Sequence, residues 1–228
     1  MEIVESLLQQ LQSQKDAFST TRLTLLCENE YQHSDFLTVA LMLQALSQGK
    51  KVTFVAFREN YAHFLGLSKK MGKSLESYLK NENLKYIECF ESQFCSELPL
   101  VEAPPPTFVP PPSLVKKVHL RDLTSNSDIF DKSELAVVDS VGYIDDNPEL
   151  CFWLYEQAVG KGCRLILGGC SSEEDVTKFL REEAELVIKL ENDVGGFGKL
   201  KVISGDKSEN VLWKNVKGKV EFSRQIVI

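Results

Sequence analysis

Residues 22–46 read RLTLLCENEYQHSDFLTVALMLQAL, and this stretch decides the fold. RLTLLC, with Thr21 before it, is an apolar run of strand length. Residues 35–48 are apolar almost all round and stop before Gly49, where a helix C-cap favours glycine. Strand, short loop and buried helix is the place where a nucleotide-binding protein keeps its phosphate loop. Such a loop reads G-x-x-x-x-G-K-[ST]: glycines let backbone N–H groups approach the phosphates, lysine contacts the outer phosphates, and the hydroxyl holds magnesium. The equivalent CENEYQHSD has neither glycine nor lysine and offers Ser34 at best. Its acids Glu28, Glu30 and Asp35 would repel a triphosphate.

Outward from this unit, strands and helices alternate. KKVTFVAF (residues 50–57) is rich in β-branched and aromatic residues, and residues 60–72 predict a helix with Asn60 as N-cap and Gly72 as its stop. A further helical turn or two over residues 74–80 leads to a third strand, LKYIECF (residues 84–90). Later, ELAVVDS (residues 134–140) reads as a buried strand, residues 148–159 as a helix starting behind Asn147, and CRLILGG (residues 163–169) as another strand. Residues 171–183 predict an acidic helix capped by Ser171 or Ser172. Upstream, Ile3, Val4, Leu7, Leu8 and Leu11 share one stripe of a covering helix. Continuous apolar strands joined by helices predict an α/β protein with a mostly parallel central sheet flanked by helices, because parallel neighbours need crossover connections.

Two regions break the alternation. Seven of the eight prolines fall between Pro99 and Pro112, in PLVEAPPPTFVPPP, which can enter neither a helix nor a central strand. We read residues 92–131 as a proline-rich excursion, an insert loop within a single domain spanning residues 1–228; a polyproline ligand for an aromatic groove is the functional alternative. After residue 183 the texture changes to AELVIKLEND, KLKVISGD and VEFSRQIVI, separated by glycine-bearing turns, which predicts antiparallel hairpins at the C-terminal edge of the sheet. DVGGFG (residues 193–198) is the tightest of these turns, and strands on both sides assign its glycines to turn geometry rather than to a phosphate.

Composition limits the function classes. With 228 residues, 43% hydrophobic and 26% charged, the chain matches an ordinary globular domain, and the start MEIVESLLQQLQS has no basic n-region or uninterrupted apolar run. No stretch can span a bilayer, so a soluble intracellular protein without a membrane partner is expected. Six cysteines without a C-x-x-C pair suit a reducing compartment, and three dispersed histidines predict no metal site and no cofactor. A formal net charge of −7 argues against a free-standing nucleic-acid binder. Charge is uneven: residues 171–193 hold eight acids and three bases (net −5), and residues 195–228 seven bases and three acids (net +4). The second segment fits a local basic surface or a sheet edge protected by lysines.

The order of elements is the layout of a RecA-like nucleotide-binding core. Where such a core places a metal-binding aspartate, LAVVDS supplies Asp139, although an aspartate at a strand end is commonly a turn former. Without the lysine and hydroxyl, independent phosphoryl transfer through the first loop is not expected. There is no G-x-S-x-G elbow and no H-E-x-x-H motif. Glu59 and His63 lie four apart on a predicted helix, where a surface contact is the ordinary reading. No catalytic residue is assigned, and the chain is read as a non-enzyme.

SLLQQL, residues 22–72, LAVVDSV, RLILGG and LVIKLENDVGGFGKLKV together resemble the family of the sixth subunit of the Elongator complex. The resemblance covers most of the chain except residues 92–131 and the last dozen. It implies a RecA-like protein without a working phosphate loop, in a hetero-hexameric ring with the fourth and fifth Elongator subunits. That ring, partnered by the remaining Elongator subunits, would itself bind the anticodon region of tRNA and assist modification of wobble uridine, the chemistry residing in the catalytic subunit. A cytoplasmic location follows, with a nuclear pool left open. The resemblance also implies that GYIDDN (residues 142–147) and GGCSSEED (residues 168–175) face the ring channel, but both are acidic. Lys116, Lys117 and Arg121, in KKVHLR, are the better candidates for tRNA phosphate contact, the ordinary alternative being a solvated basic turn. A second reading is an NTPase subunit whose site is completed at a subunit interface, with Asp139 or Arg58 touching a neighbour's nucleotide.

Overall fold

Buried β-branched and aromatic runs build the centre of the molecule. In a computed structural model that describes residues 7, 20–28, 33–89, 114–144, 147–170, 180–192, 198–216 and 219–224, they form one ten-stranded sheet. The strands are β1 (Leu23–Cys27), β2 (Val52–Ala56), β3 (Leu84–Glu88), β4 (Val115–Lys117), β5 (Leu135–Val138), β6 (Arg164–Cys170), β7 (Leu186–Asn192), β8 (Gly198–Ser204), β9 (Lys207–Val216) and β10 (Lys219–Arg224). Their order is β10-β9-β8-β7-β1-β6-β5-β2-β3-β4. All pairings from β7 through β1 to β4 are parallel, and those from β7 outward to β10 are antiparallel. This is the expected α/β architecture with antiparallel strands at the C-terminal edge.

Helices cover both faces. On one face α1 (Asp35–Ser47), α2 (Tyr61–Lys70) and α3 (Leu75–Lys80) pack over Leu26, Phe54, Tyr86, Val137 and Ile166. On the other, α4 (Leu120–Leu123) and α5 (Pro148–Gly160) contribute Leu123, Leu150 and Leu154 against Leu25, Val55, Val138 and Leu167. Ten of the thirteen residues of α1 are buried, which accounts for its lack of a polar face. The sequence-predicted caps hold: Asn60 accepts from the His63 N–H and Asn147 from the Leu150 N–H, each satisfying a first-turn donor of its helix. Leu7 is helical and buried in the cluster with α1; the rest of the predicted covering helix lies outside the described residues. The same is true of the proline run, of residues 171–179 and of the 193–197 turn.

Two corrections concern the edges. The excursion over residues 92–131 is not wholly loop: β4 adds to β3 in parallel, and α4 follows at once. Only Val115 of β4 is buried, so its three residues carry little apolar pattern and take strand form through pairing. The second is β9, absent from the sequence reading because it opens with the polar run Lys207–Asn210. Pairing on both sides, with β8 and β10, holds it in the sheet. Its Trp213 packs against Phe36 of α1 at 4.8 Å between centroids with the rings tilted by 35°, over Gly198, where a Cβ would stand 2.2 Å from the indole ring. No helix among the described residues is long and apolar enough to cross a membrane. Cys27, Cys89, Cys151, Cys163 and Cys170 are buried free thiols.

Candidate functional site

In an open parallel sheet the ligand crevice lies beyond the carboxyl ends of the strands. Here those ends carry carboxylates: Glu28 just past β1, Glu88 as the last residue of β3 and Asp139 just past β5. Each accepts hydrogen bonds from the backbone of a neighbouring loop or helix start. Glu28 Oε1 accepts from the Ser34 N–H at 2.5 Å and the Ser34 hydroxyl at 2.6 Å, which pins the exit of the first loop at the start of α1. Glu88 accepts from the Tyr61 N–H at 2.8 Å, at the first turn of α2. Asp139, fully buried, accepts from Phe57 at 2.7 Å, Arg58 at 3.0 Å and Glu59 at 3.2 Å, fixing the chain as it leaves β2.

Arg58 ties these ends together. Its Nη1 donates to Glu28 Oε2 at 2.9 Å, and its Nη2 pairs with Asp35 Oδ1. His33 Nδ1 lies 3.2 Å from Glu28 Oε2 and His63 Nε2 lies 3.1 Å from Asp35 Oδ2. The Glu59–His63 pair, expected as a surface contact, is 3.9 Å apart, and His63 joins the cluster through Asp35. The Arg58, Glu28 and Asp35 side chains retain only 19%, 10% and 12% exposure, so the network is largely withdrawn from solvent. Burial works to raise the Glu28 carboxyl, but hydrogen bonds from Arg58 and Ser34 outweigh it and hold the group below its usual range. For Arg58, burial is likewise outweighed by its two carboxylates, and its basicity rises further. Asp139 behaves differently: burial pushes it up to about 6, against the three backbone N–H groups and the Arg58 charge.

Among the described residues, donors suited to a phosphate in this crevice are therefore engaged internally. The Ser34 N–H and hydroxyl and the Arg58 guanidinium all face the chain's own carboxylates. As a chemical arrangement, the site binds its own side chains. No family model and no curated protein matches this chain.

The residues singled out in the sequence divide into two groups. Arg58 and Asp139 are brought together through the Arg58 N–H, and both are committed within the chain. Lys116 and Lys117 lie on β4 at the far edge of the sheet, and as adjacent strand residues they point to opposite faces, so they form no common patch. Lys116 Nζ donates to Asn126 Oδ1 at 2.9 Å beside a cleft of about 190 Å³ that Lys85 also lines, whereas the Lys117 side chain, 82% exposed, has its Nζ 3.8 Å from Glu88. Arg121 lies on α4, its side chain outside the described ones. Among the described residues no group of three or more His, Cys, Asp or Glu side chains is placed to hold a metal. Sequence reasoning missed Glu88, although an acid closing the apolar run LKYIE carries the same signal as Asp139.

Proposed function

We propose that this chain is a RecA-like, non-catalytic subunit of a hetero-hexameric ring, built with the fourth and fifth Elongator subunits, that supports tRNA binding and wobble-uridine modification by the Elongator complex. The sequence resemblance supplies the family, and the observation that carries the non-catalytic part is the closed network of Glu28, Ser34, Asp35 and Arg58 in the phosphate-loop position. With the Ser34 and Arg58 donors turned onto the chain's own carboxylates and no lysine in CENEYQHSD, the described residues here do not supply the groups that position and stabilise a transferring phosphoryl group. β1 and β5, whose ends carry the first loop and Asp139, run parallel with only β6 between them, which supports the RecA-like layout. The interface NTPase is less favoured, because Arg58 pairs with Glu28 and Asp35, and Asp139 accepts three backbone N–H groups, within the chain.

Native mass spectrometry of the protein expressed alone and with the two partners tests the reading. A six-membered ring with equal amounts of three chains is expected, with no nucleotide carried by the isolated protein. A stable solitary monomer in the presence of both partners would overturn it.

A further inference from the structure

The cleft of about 190 Å³ beside Lys116 lies at the β4 edge of the sheet, on the face that α4 covers. Ile87 pairs with Lys116 across β3 and β4, and the two-residue period of a strand puts Lys85 and Val118 on that same face. Ile87, Val118, Leu123 and Ile129 give the cleft an apolar lining, into which Lys85 and Lys116 bring two cations. Lys85, half-buried, donates to the Asp128 and Ile129 carbonyl oxygens at 3.1 and 2.8 Å, which leaves one of its three N–H groups. Lys116 donates to the neutral Asn126 Oδ1 at 2.9 Å. The nearby carboxylates of Asp128 and Asp131 pair instead with Lys161, and among the described residues neither Lys85 nor Lys116 forms an ion pair. Burial and the Lys116 charge hold the Lys85 ammonium below its usual range, against the pull of Asp131 and Asp128. A cation withdrawn from water is ordinarily paired, and this one has only another cation beside it.

Volume limits what could supply the missing anion. Sites for drug-sized ligands run to about 300–1,000 Å³, whereas an apolar cavity of about 150 Å³ holds benzene. We infer that the cleft is a binding site for a small monocarboxylate with a compact apolar body, a single ring or a short branched chain. The body lies against Ile87, Val118, Leu123 and Ile129, and the carboxylate accepts from the Lys85 and Lys116 ammonium groups. A bare inorganic anion leaves the apolar lining unused, and a neutral apolar molecule leaves both cations unpaired. The cleft is lined within this chain, so binding does not depend on ring assembly.

The test titrates benzoate into the full chain by calorimetry at constant ionic strength, beside benzamide as its neutral isostere and inorganic phosphate as an anion without an apolar body. Benzoate should bind at least about tenfold more tightly than either. It should also shift the backbone amide NMR signals of Ile87, Val118, Leu123 and Ile129. Lys85→Met, which keeps an apolar stem and removes the charge, should weaken benzoate binding about tenfold. Lys116→Met, at an exposed position, should weaken it about threefold and decides the matter if Lys85→Met does not fold. Four results would overturn the inference: no benzoate binding, benzamide or phosphate binding as tightly as benzoate, unchanged benzoate affinity in a folded lysine variant, or NMR shifts confined to other residues.

Discussion

The ends of β1 and β5 stand on either side of β6, and each carries a carboxylate, Glu28 partly buried and Asp139 fully so, that fixes a neighbouring loop. They are stabilised by different means. Glu28 meets a guanidinium as well as an amide and a hydroxyl, and sits below its ordinary range; Asp139 meets three neutral backbone N–H groups, with Arg58 a lesser influence, and is pushed up to about 6. Burial costs both carboxylates hydration, and a cation in direct contact compensates for it where backbone dipoles alone do so only in part. The β1 end is thus an ion-pair lock, and the β5 end a hydrogen-bonded clamp under electrostatic tension.

The largest effect should come from removing the clamp. Asp139→Ala leaves the buried Phe57 N–H without an acceptor and loosens those of Arg58 and Glu59, which are less enclosed. A loss of about 3 kcal/mol is expected in urea unfolding, the amides of residues 57–59 gaining fast hydrogen exchange while the Ser34 amide stays protected. If the Ser34 amide exchanges equally fast, the two ends are one unit and the contrast between them fails.

Acidity separates the two ends by sign. Between the ordinary carboxylate value of 3.8 and about 6, the unfolded chain has released the Asp139 proton while the folded chain still holds it. The folded state binds more protons there, so this group's contribution falls as pH rises through that window, by roughly 2–3 kcal/mol in all. Glu28 acts the other way: its folded form lies below 4.5, so its contribution is present above that value and fades as pH falls beneath it. Stability measured against pH in Asp139→Asn should lose the falling limb, and in Glu28→Gln the low-pH rise. Identical profiles in the two variants would show that neither carboxylate senses its surroundings as described.

Much of the fold was legible because parallel strands buried on both faces are continuous apolar runs, and because Asn60 and Asn147 mark their helix starts chemically. β4 and β9 were not, since their strand character comes from neighbours in the sheet rather than from their own residues. At the site, the acids of the first loop and its want of glycine and lysine could be read directly. The contacts these acids make could not. Arg58 is 30 residues from Glu28, and Phe57 is 82 residues from Asp139, separations that only strand order closes. Arg58 therefore drew attention as a contact for a neighbour's nucleotide, whereas within the chain it pairs with two acids that flank the first loop.

The smallest effect should reveal whether the two ends move together. β6 passes between them with Gly168 and Gly169 at its tip: a Cβ on Gly168 would stand 2.6 Å from the Asp139 carbonyl oxygen, and one on Gly169 2.5 Å from the Ser140 hydroxyl. Gly169 also has φ +63°, a left-handed conformation costly for any side chain, and its N–H reaches the Ser34 hydroxyl on the other side. Gly169→Ala should therefore cost about 1–2 kcal/mol, combining backbone strain with a push against Ser140. Its diagnostic value lies in where exchange accelerates. Because Gly169 touches the neighbour of Asp139 and the partner of Glu28, both the Phe57 and Ser34 amides should open in this variant, in contrast to Asp139→Ala. Acceleration at Phe57 alone would mean that the contact with Ser34 transmits nothing, and that lock and clamp are independent features on one sheet.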